Sequence, residues 1–372
     1  MTPSESQYFA LLRSALWDMP VTIEGPIDWN EVMRIAQHHA NEALLCGVAS
    51  QMTGDNRPSE AMLGQMQAAM RNNLLSQLRL KQILTSAVTL LHEHGIEPVL
   101  LKGFSLAMMY PNPNLRQFGD IDLFVGLGNF HEACNLLRSL PGGYNWGEEV
   151  DVGHHYNIEF GNYPMEIHRV SADVNDHKEA ETYAAIERDG LYANTQHVDL
   201  EGLEISIPSK EFMVFYTFYH AWHHFLTSGV GWRQISDVAM ALHAYHSQLD
   251  LEKLRRWLSD MHLVKPWQTF GYLMVHQLGL PEAELPFYDA GCLRSAQRLC
   301  RMVMEVGNFN RHSRFKQRRP KNRLMRKLHS FIGIFVDFFY RARVFPTSAF
   351  LEMQASLRLA MDKLGKADAA KN

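Results

Sequence analysis

The sequence predicts an α+β protein in which a small mixed β-sheet is flanked by helical regions at both ends. Three observations predict this fold class. Apolar residues recur at helical spacing through about the first ninety residues, short strand-like segments fill the middle, and helical spacing returns after Pro208. With 372 residues and 46% hydrophobic residues, the chain is long enough for two or three packed modules, which we expect at 1–92, 93–207 and 208–372.

Three helices are predicted in the N-terminal region. Apolar residues at helical intervals indicate the first, over residues 8–17. Asp28, with Glu31 three positions later, has the capping-box spacing that begins a second. A third extends over about residues 60–92 and carries a stripe of methionines and leucines, which is typical of core packing rather than of a cofactor site.

The central region alternates strands and helices. Its predicted elements are a strand at 96–101, a short helix at 104–110, a Pro/Asn loop at 111–114, a strand at 121–125, a helix at 129–140, strands at 155–160 and 165–168, and a hairpin at 197–207. We expect the hairpin, which turns around Gly202, to close the sheet. This order of short strands and helices is typical of a small α/β module.

The C-terminal region is predicted to be helical. Ser209 is placed as the N-cap of an aromatic helix over 211–226, a second helix follows at 232–246, and further helices fill 251–304 and 324–365. The run 331–340 is apolar on all sides, but it has ten residues and contains an aspartate, so we expect a buried helix rather than a membrane span.

Composition limits the compartment and the class of protein. The charged fraction of 20% and the aromatic fraction of 11% indicate a globular chain. No stretch reaches the roughly 18 uncharged apolar residues of a membrane span, and the N-terminus lacks the basic start of a signal peptide. The four cysteines are scattered without C-x-x-C spacing, which argues against a disulfide or zinc-finger framework and favours a reducing, cytoplasmic location.

The net charge of −4 conceals one strongly basic segment. From Arg311 to Lys327 the chain has nine Lys or Arg and no acidic residue, so the remainder has 27 basic and 40 acidic residues, or about −13. A solvated surface is one interpretation. The alternatives are contact with a nucleic acid, with an anionic membrane surface beside the apolar run 331–340, or with a phosphorylated acceptor.

The clearest chemical feature is the Asp120-Ile121-Asp122 motif at the start of a predicted strand. Alternate residues of a strand point to one face, so both carboxylates would project together. Carboxylates held so close repel each other unless a cation lies between them. Mg²⁺ is the expected ion, with Mn²⁺ as a substitute, because Mg²⁺ is commonly held by one or two carboxylates together with substrate phosphates.

A third carboxylate lies on a later predicted strand. In that strand Met165 and Ile167 would face the core, with Glu166 and His168 on the other side. If the strand lies beside that of the D-x-D motif, Glu166 completes a three-carboxylate cluster for two ions about 4 Å apart. Glu166 would also accept the proton of an acceptor hydroxyl, and His168 would orient Glu166 or contact the acceptor.

Residues upstream of the D-x-D motif are suited to binding phosphates. A predicted strand-to-helix turn, Lys102-Gly103-Phe104-Ser105, would aim backbone N–H groups and a hydroxyl at a triphosphate. Lys102 and Arg116 would add positive charge against those phosphates. A Gly-containing turn followed by D-x-D and a third acid is far more restrictive than a D-x-D motif alone.

The stretch VLLKGFSLAMMYPNPNLRQFGDIDLFV resembles the central motif of the bacterial uncharacterised nucleotidyltransferase family, within the polymerase-β-like nucleotidyltransferase superfold. The resemblance covers roughly residues 25–245. It implies that Asp120 and Asp122 are metal ligands, that Glu166 is the third acid, and that Gly103 and Ser105 occupy the place of the superfold's Gly-Ser phosphate turn. Phe104 separates those two residues here, a departure that makes the Gly103 backbone the firmer candidate.

A histidine-rich helix is predicted downstream, in the run YTFYHAWHHF. His220 and His224 are i,i+4 neighbours, as in zinc-binding helices, but Ala221 occupies the position of the glutamate in the H-E-x-x-H pattern. The interpretations are a packed helix, a face that contacts nucleotide or acceptor, or a zinc site. Arg233 and Asp237, also i,i+4, would either pair with each other or point at the ligand.

Together these features predict a Mg²⁺-dependent nucleotidyltransferase. It would move a nucleoside monophosphate from an NTP, with ATP as the expected donor, to a hydroxyl-type acceptor and release pyrophosphate. One alternative is a catalytically silent nucleotide-binding or scaffold protein of the same fold. Another is a D-x-D glycosyltransferase, which would require a larger nucleotide-binding α/β domain ahead of the motif, where this chain is predicted to be helical.

Overall fold

The computed structural model describes residues 1–144, 154–174, 177–308 and 320–369. It confirms the α+β class: a six-stranded mixed sheet with helical regions at both ends. The strands are β1 (Val99–Leu100), β2 (Ile121–Phe124), β3 (His155–Phe160), β4 (Tyr163–His168), β5 (Gln196–Asp199) and β6 (Glu204–Ile207). The helices of the N-terminal and central regions are α1 (Pro3–Trp17), α2 (Trp29–His38), α3 (Glu42–Ala49), α4 (Glu60–Glu93), α5 (Phe104–Ala107), α6 (Gly126–Arg138) and α7 (His177–Glu187). Those of the C-terminal region are α8 (Lys210–Thr227), α9 (Trp232–Tyr245), α10 (Leu251–Asp260), α11 (Val264–His276), α12 (Leu293–Val306), α13 (Arg323–Arg341) and α14 (Pro346–Ala369).

The sheet has the strand order β3-β4-β2-β1-β6-β5. The pairs β2–β4 and β1–β6 are parallel, and the other neighbours are antiparallel. The predicted hairpin is present as β5–β6, and it completes the sheet at the edge opposite β3. The parallel β2–β4 pair lies near the middle and brings together residues more than forty positions apart in the chain.

The two central strands are short because the chain turns at both of their ends. β1 covers two residues of the predicted 96–101 run, since Ile96 N–H still bonds to Leu91 O at the end of α4 and the chain turns again at Gly103. Gly103 has φ 73° and ψ −111°, a conformation that side chains with a Cβ strongly disfavour. β2 is buried along its whole length, including Asp122.

The N-terminal helices follow the predicted caps with one difference. Asp28 accepts hydrogen bonds from the backbone N–H groups of Asn30 and Glu31 and so caps α2. Glu31 does not complete a capping box, because its carboxylate pairs with Arg34 one turn later. Helix α3 was not predicted as a separate element. Its sequence, EALLCGVA, is buried nearly all round, so it lacks the polar face that makes an amphipathic helix recognisable.

Helix α13 departs from the expectation of a buried helix at 331–340. Phe331, Phe335 and Phe339 are exposed, Phe339 by 67%. The helix packs mainly against α14, which leaves its other side in solvent. Of the basic segment from Arg311 to Lys327, residues 311–319 lie outside the described part of the chain, residues 320–322 precede α13, and the last five residues form its start.

Two further sequence expectations concern the membrane and the thiols. Among the described residues, no helix combines the length and the apolar character needed to cross a bilayer. All four cysteines are free and buried. Burial raises the pKa of the Cys46 thiol to about 12 and that of Cys134 likewise, so these thiols are protonated and act as small core residues.

Candidate active site

The two D-x-D carboxylates lie at the start of β2. Asp120 immediately precedes the strand and is half-buried at the rim of a cavity, whereas Asp122 lies within the strand and is fully buried. The intervening Ile121 is buried in the core. The alternation of a strand predicts one shared face for the two acids. Of the two, Asp120 lines the cavity.

Strand β4 lies directly beside β2 and delivers the third acid. The parallel register pairs Asp122 with Glu166 and Phe124 with His168. One ligand atom from each of Asp122, Glu166 and His168 lies within 4.8 Å of the others. This separation is compatible with ions bound between the carboxylates.

The turn ahead of the motif places Lys102 and Gly103, but not Ser105, at the cavity. Lys102 and Gly103 line it, while Ser105 is fully buried and its hydroxyl has no partner among the described residues. The extra residue of this turn, Phe104, packs edge-to-face on Phe118 with ring centroids 4.8 Å apart. The Gly103 backbone therefore faces the cavity, and Ser105 does not in this conformation.

Arg116 forms an ion pair with Asp237 of α9. Its guanidinium donates to both carboxylate oxygens of Asp237, at 2.6 and 2.8 Å, and its third nitrogen donates to Gly103 O at 3.0 Å. Tyr110 also donates to Asp237, at 2.7 Å. Both charged side chains are buried, and the bond from Arg116 to Gly103 O supports the Gly103 turn. That Arg116 also supplies charge to phosphates stays a prediction.

Arg233 does not take the partner that its spacing suggests. Because Asp237 is occupied by Arg116, Arg233 instead donates to Gln117 O at 3.1 Å. Its Nε is buried without a hydrogen-bond partner in the described part of the chain, and the residue lines the cavity. Arg233 is thus a cationic group of the cavity wall, whereas Asp237 is part of its support.

The aromatic helix α8 forms the opposite wall. His220 and His224 approach each other through Nε2 atoms 2.9 Å apart, and Lys102 Nζ lies 3.4 Å from His220 Nε2. Burial, then the charge of Lys102, lowers the pKa of both imidazoles, that of His224 to about 3. Neutral histidines therefore face the acids. Within the described residues, no third side chain joins this pair in a metal-binding group.

A cavity of about 290 Å³ lies between the sheet and α8. Its charged residues and histidines are Lys102, Arg116, Asp120, His154, Glu166, His168, Asp173, His220, His223, His224, Arg233 and Asp237. Cations and anions from elements far apart in sequence thus converge on one concave surface. This is the usual setting of a binding or catalytic site.

The family model described as "Uncharacterised nucleotidyltransferase" matches residues 25–279, more than two thirds of the chain and every residue of this site. This chain belongs to the uncharacterised nucleotidyltransferase family. No curated protein matches it. A solved structure, an antigenic nucleotidyltransferase-like protein from Paracoccidioides brasiliensis, is similar over 58% of this chain and 96% of its own, with 12% identity and a TM-score of 0.34. A similarity at that level says nothing about function.

In this family member the buried Asp122 is neutralised by two basic side chains. Lys102 Nζ lies 3.0 Å from its Oδ1 and His168 Nε2 lies 3.2 Å from the same atom. Burial alone would raise the pKa of Asp122, but Lys102 and His168 hold it well below its ordinary value. Burial also opposes protonation of His168, yet hydrogen bonds to Asp122 and Glu166 raise its pKa to about 9.

The pKa of Asp120 shifts in the opposite direction from that of Asp122. Burial and the adjacent charge of Asp122 raise the pKa of Asp120 above its ordinary value, with Lys102 and Arg233 acting against them. Added positive charge near Asp120 would therefore favour its ionised form. A divalent cation supplies such charge.

The acidic residues fit a hard divalent cation. Oδ2 of Asp122 is buried and has no hydrogen-bond partner in the described part of the chain, so one carboxylate oxygen is available as a ligand. Asp120 and Glu166 both line the cavity and offer further carboxylate oxygens there. Oxygen donors of this kind are the ligands that Mg²⁺ and Mn²⁺ prefer.

Sequence reasoning missed a polar network beside the cavity. Ser171 donates from both its backbone N–H and its hydroxyl to Glu187, each at 2.6 Å, and Tyr183 contacts the same hydroxyl at 2.8 Å. Tyr216 of α8 donates to Ser171 O at 3.1 Å. No spacing within the sequence marks these residues as neighbours, because tertiary packing alone joins the segments that carry them.

Proposed function

We propose that this protein is a Mg²⁺-dependent nucleotidyltransferase. It transfers a nucleoside monophosphate from an NTP, with ATP as the proposed donor, to a hydroxyl-type acceptor and releases pyrophosphate. Family membership supports nucleotidyl transfer in general. The single observation that carries the proposal is the parallel β2–β4 pairing, which sets Glu166 opposite Asp122 at the cavity that Asp120 also lines.

Each group at the cavity has a role in this proposal. Asp120, Asp122 and Glu166 hold Mg²⁺, for which Mn²⁺ can substitute. The metal supplies charge stabilisation to the phosphates when bound. Lys102, 3.0 Å from Asp122, neutralises that carboxylate and is close enough to the Gly103 turn to bind a phosphate oxygen. Arg233 and the neutral imidazoles of His220 and His224 offer donors to the nucleotide or the acceptor from the opposite wall.

The reaction forms a bond between the acceptor oxygen and the α-phosphorus, and the bond between that phosphorus and the bridging oxygen of pyrophosphate breaks. The hydroxyl proton passes to the Glu166 carboxylate. His168 Nε2 lies 3.4 Å from Glu166 and 3.2 Å from Asp122, so it holds both carboxylates in place. His168 is therefore proposed as a positioning residue.

A second candidate is a catalytically silent nucleotide-binding protein of the same fold. The observation that favours it is the contact between the Lys102 ammonium and Asp122, because a bound metal ion would need that carboxylate as a ligand. A distance beyond about 8 Å between Glu166 and the aspartates would also favour it, given metal ions roughly 4 Å apart. Glu166 and Asp122 instead offer ligand atoms within 4.8 Å. The glycosyltransferase alternative is wrong about the region ahead of the motif, in which the structure has helices α1 to α5 and the two-residue strand β1.

Calorimetric titration with MgATP tests the proposal. We expect the unmodified protein to bind MgATP in a metal-dependent manner and Asp120→Asn/Asp122→Asn to lose that binding. Asp55→Asn, at an exposed position of a 3-10 helical turn, is the matched control and should bind as the unmodified protein does. Equal binding of MgATP by the double variant, with no effect of metal, would contradict the proposal.

Incubation with labelled NTPs separates the enzyme from the silent protein. An active nucleotidyltransferase labels one class of acceptor in a cell extract, and the double variant labels none. Metal-dependent binding without any labelling would favour the silent protein.

We place the protein in the cytoplasm, since its free buried cysteines suit a reducing compartment. Contact of the segment from Arg311 to Lys327 with nucleic acid or an anionic membrane stays a prediction.

A further inference from the structure

Three histidines lie together at the β3–β4 edge of the acidic site. His155 begins β3 and pairs directly with His168, the last residue of β4. His154 precedes β3. One nitrogen atom from each imidazole lies within 4.8 Å of the others. Directly opposed residues of an antiparallel pair share a face, which explains the contact between His155 and His168.

The third histidine joins the group through a local change of direction. Consecutive residues of a continuous strand point to opposite faces, so His154 and His155 would be separated if both lay within β3. Instead His154 Nε2 lies 2.8 Å from His155 Nδ1, and the ring centroids are 4.2 Å apart. Only one of these two nitrogens can carry a proton on the line between them, so at least one offers a lone pair.

His168 has one nitrogen engaged and one without a partner. Its side chain is 3% exposed, and Nε2 faces the carboxylates of Asp122 and Glu166 at 3.2 and 3.4 Å. Nδ1 is buried and has no hydrogen-bond partner in the part of the chain that is described. Histidine ligands of metals commonly donate their other N–H to a carboxylate, which is the arrangement that Asp122 and Glu166 provide.

We propose that His154, His155 and His168 bind a transition-metal dication of the class typified by Zn²⁺. A Zn–N distance of about 2.0–2.1 Å in tetrahedral geometry corresponds to nitrogens about 3.3 Å apart. The His154–His155 separation of 2.8 Å therefore opens by about 0.5 Å. The widest separation, at most 4.8 Å, closes by up to about 1.5 Å, which side-chain rotation supplies.

This imidazole site differs in chemistry from the proposed magnesium site. Its ligands are nitrogens, which suit Zn²⁺ and its neighbours in the transition series, whereas Asp120 and Glu166 offer oxygens, which suit Mg²⁺. His154 and His168 line the cavity, so a fourth coordination position faces the substrate side, as in zinc sites with three protein ligands. The proposal is independent of nucleotidyl transfer.

The alternative zinc site on helix α8 is weaker. His220 and His224 have nitrogens 2.9 Å apart, but in the described residues no third His, Cys, Asp or Glu joins them. Lys102 lies 3.4 Å from His220, and its positive charge opposes a cation at that place. The sheet site instead has the carboxylates of Asp122 and Glu166 behind His168.

Metal titration of the tag-free, metal-stripped full chain tests the proposal. Zn²⁺ is titrated by calorimetry in excess Mg²⁺, which saturates oxygen sites and competes poorly for imidazole. Co²⁺ in a parallel titration gives the intense visible absorption of four-coordinate cobalt, which Zn²⁺ then abolishes. We expect one equivalent of either metal, and an affinity at least about tenfold lower in His155→Gln, since even losing an outer-shell partner costs that much.

Matched variants separate this site from its neighbours. His154→Gln, outside the strand, should lose affinity as His155→Gln does, and it keeps the test valid if the strand variant folds poorly. His220→Gln and His246→Gln, at a half-buried position outside the site, should bind Zn²⁺ as the unmodified protein does. Asp120→Asn should also retain Zn²⁺ although it loses MgATP, so that failure of the proposed function would leave this result intact. No stoichiometric binding in excess Mg²⁺, unchanged affinity in both strand-edge variants, or loss in His220→Gln would overturn the proposal.

Discussion

Replacing Arg116 with methionine tests whether this arginine supports the site from behind or acts on phosphates. Arg116 and Asp237 are 2% and 4% exposed and are joined by two hydrogen bonds of 2.6 and 2.8 Å. Removing one partner of a buried pair leaves an uncompensated charge and costs about 3–5 kcal/mol. The lost hydrogen bond to Gly103 O adds about 1 kcal/mol. We therefore expect the free energy of unfolding to fall by about 4–6 kcal/mol.

The assay is urea unfolding followed by tryptophan fluorescence, with a double-mutant cycle. The Arg116→Met/Asp237→Leu variant removes both charges, and buried pairs replaced by apolar residues are often tolerated, so it should recover about 2 kcal/mol. Tyr110 then loses its acceptor, which prevents full recovery. Arg233→Met, at the half-buried arginine of the cavity wall with one hydrogen bond to Gln117 O, is the control and should cost about 1 kcal/mol.

Two outcomes would refute this reasoning. The first is a loss below about 1 kcal/mol for Arg116→Met, the scale of one ordinary hydrogen bond. The second comes from nucleotide affinity. If Arg116 bound phosphates, Asp237→Asn would free its charge and strengthen MgATP binding. Because Arg116 instead holds Gly103 O, we expect Arg116→Met and Asp237→Asn both to weaken it.

Three further predictions follow from local geometry and charge. Gly64→Ala, at an exposed position inside α4 with open space around it, should stabilise the protein by about 0.5–1 kcal/mol in urea unfolding. Lys102→Met leaves Asp122 buried with less compensation, so Mg²⁺ should raise the Tm of this variant more than that of the unmodified protein. Burial and the charge of Lys102 lower the pKa of His224 to about 3, so the unfolded chain binds more protons than the folded one between about pH 6.5 and 3. The free energy of unfolding should therefore fall as the pH falls through that window, and His224→Gln should flatten the slope by about one proton.

Each of these has a control that uses the same chemistry at another place. Gly103→Ala should destabilise, because φ is 73° and ψ is −111° there; a gain would contradict the strain assigned to that turn. Lys81→Met, at a surface ion pair, should leave the Mg²⁺ effect on Tm unchanged. His246→Gln, on a half-buried turn, should keep the pH slope of the unmodified protein. An equal slope in His224→Gln would mean that His224 is not the group that resists protonation.

The elements with strong local periodicity were predictable from the sequence. Strand β3 lies where its alternation placed it, and α4 begins at the predicted Glu60. Helix α7 was not predicted, because residues 177–187 and the residues before them have no clear apolar periodicity. The apolar run in α13 was wrongly expected to be buried, because apolar character on all sides does not say how many neighbours the fold supplies.

The sequence by itself determined which residues form the candidate site: two carboxylates at the start of one strand, a third on an alternating strand, and a glycine at a turn. These follow from spacing within a few residues, which the backbone periods of strands and turns convert directly into geometry. Only the tertiary structure decided which side chains contact one another. It engaged Arg116 with Asp237, 121 positions away, and buried Ser105. It also placed His168 between the acids and two other histidines. Such pairings depend on strand register and helix packing, which no local pattern encodes.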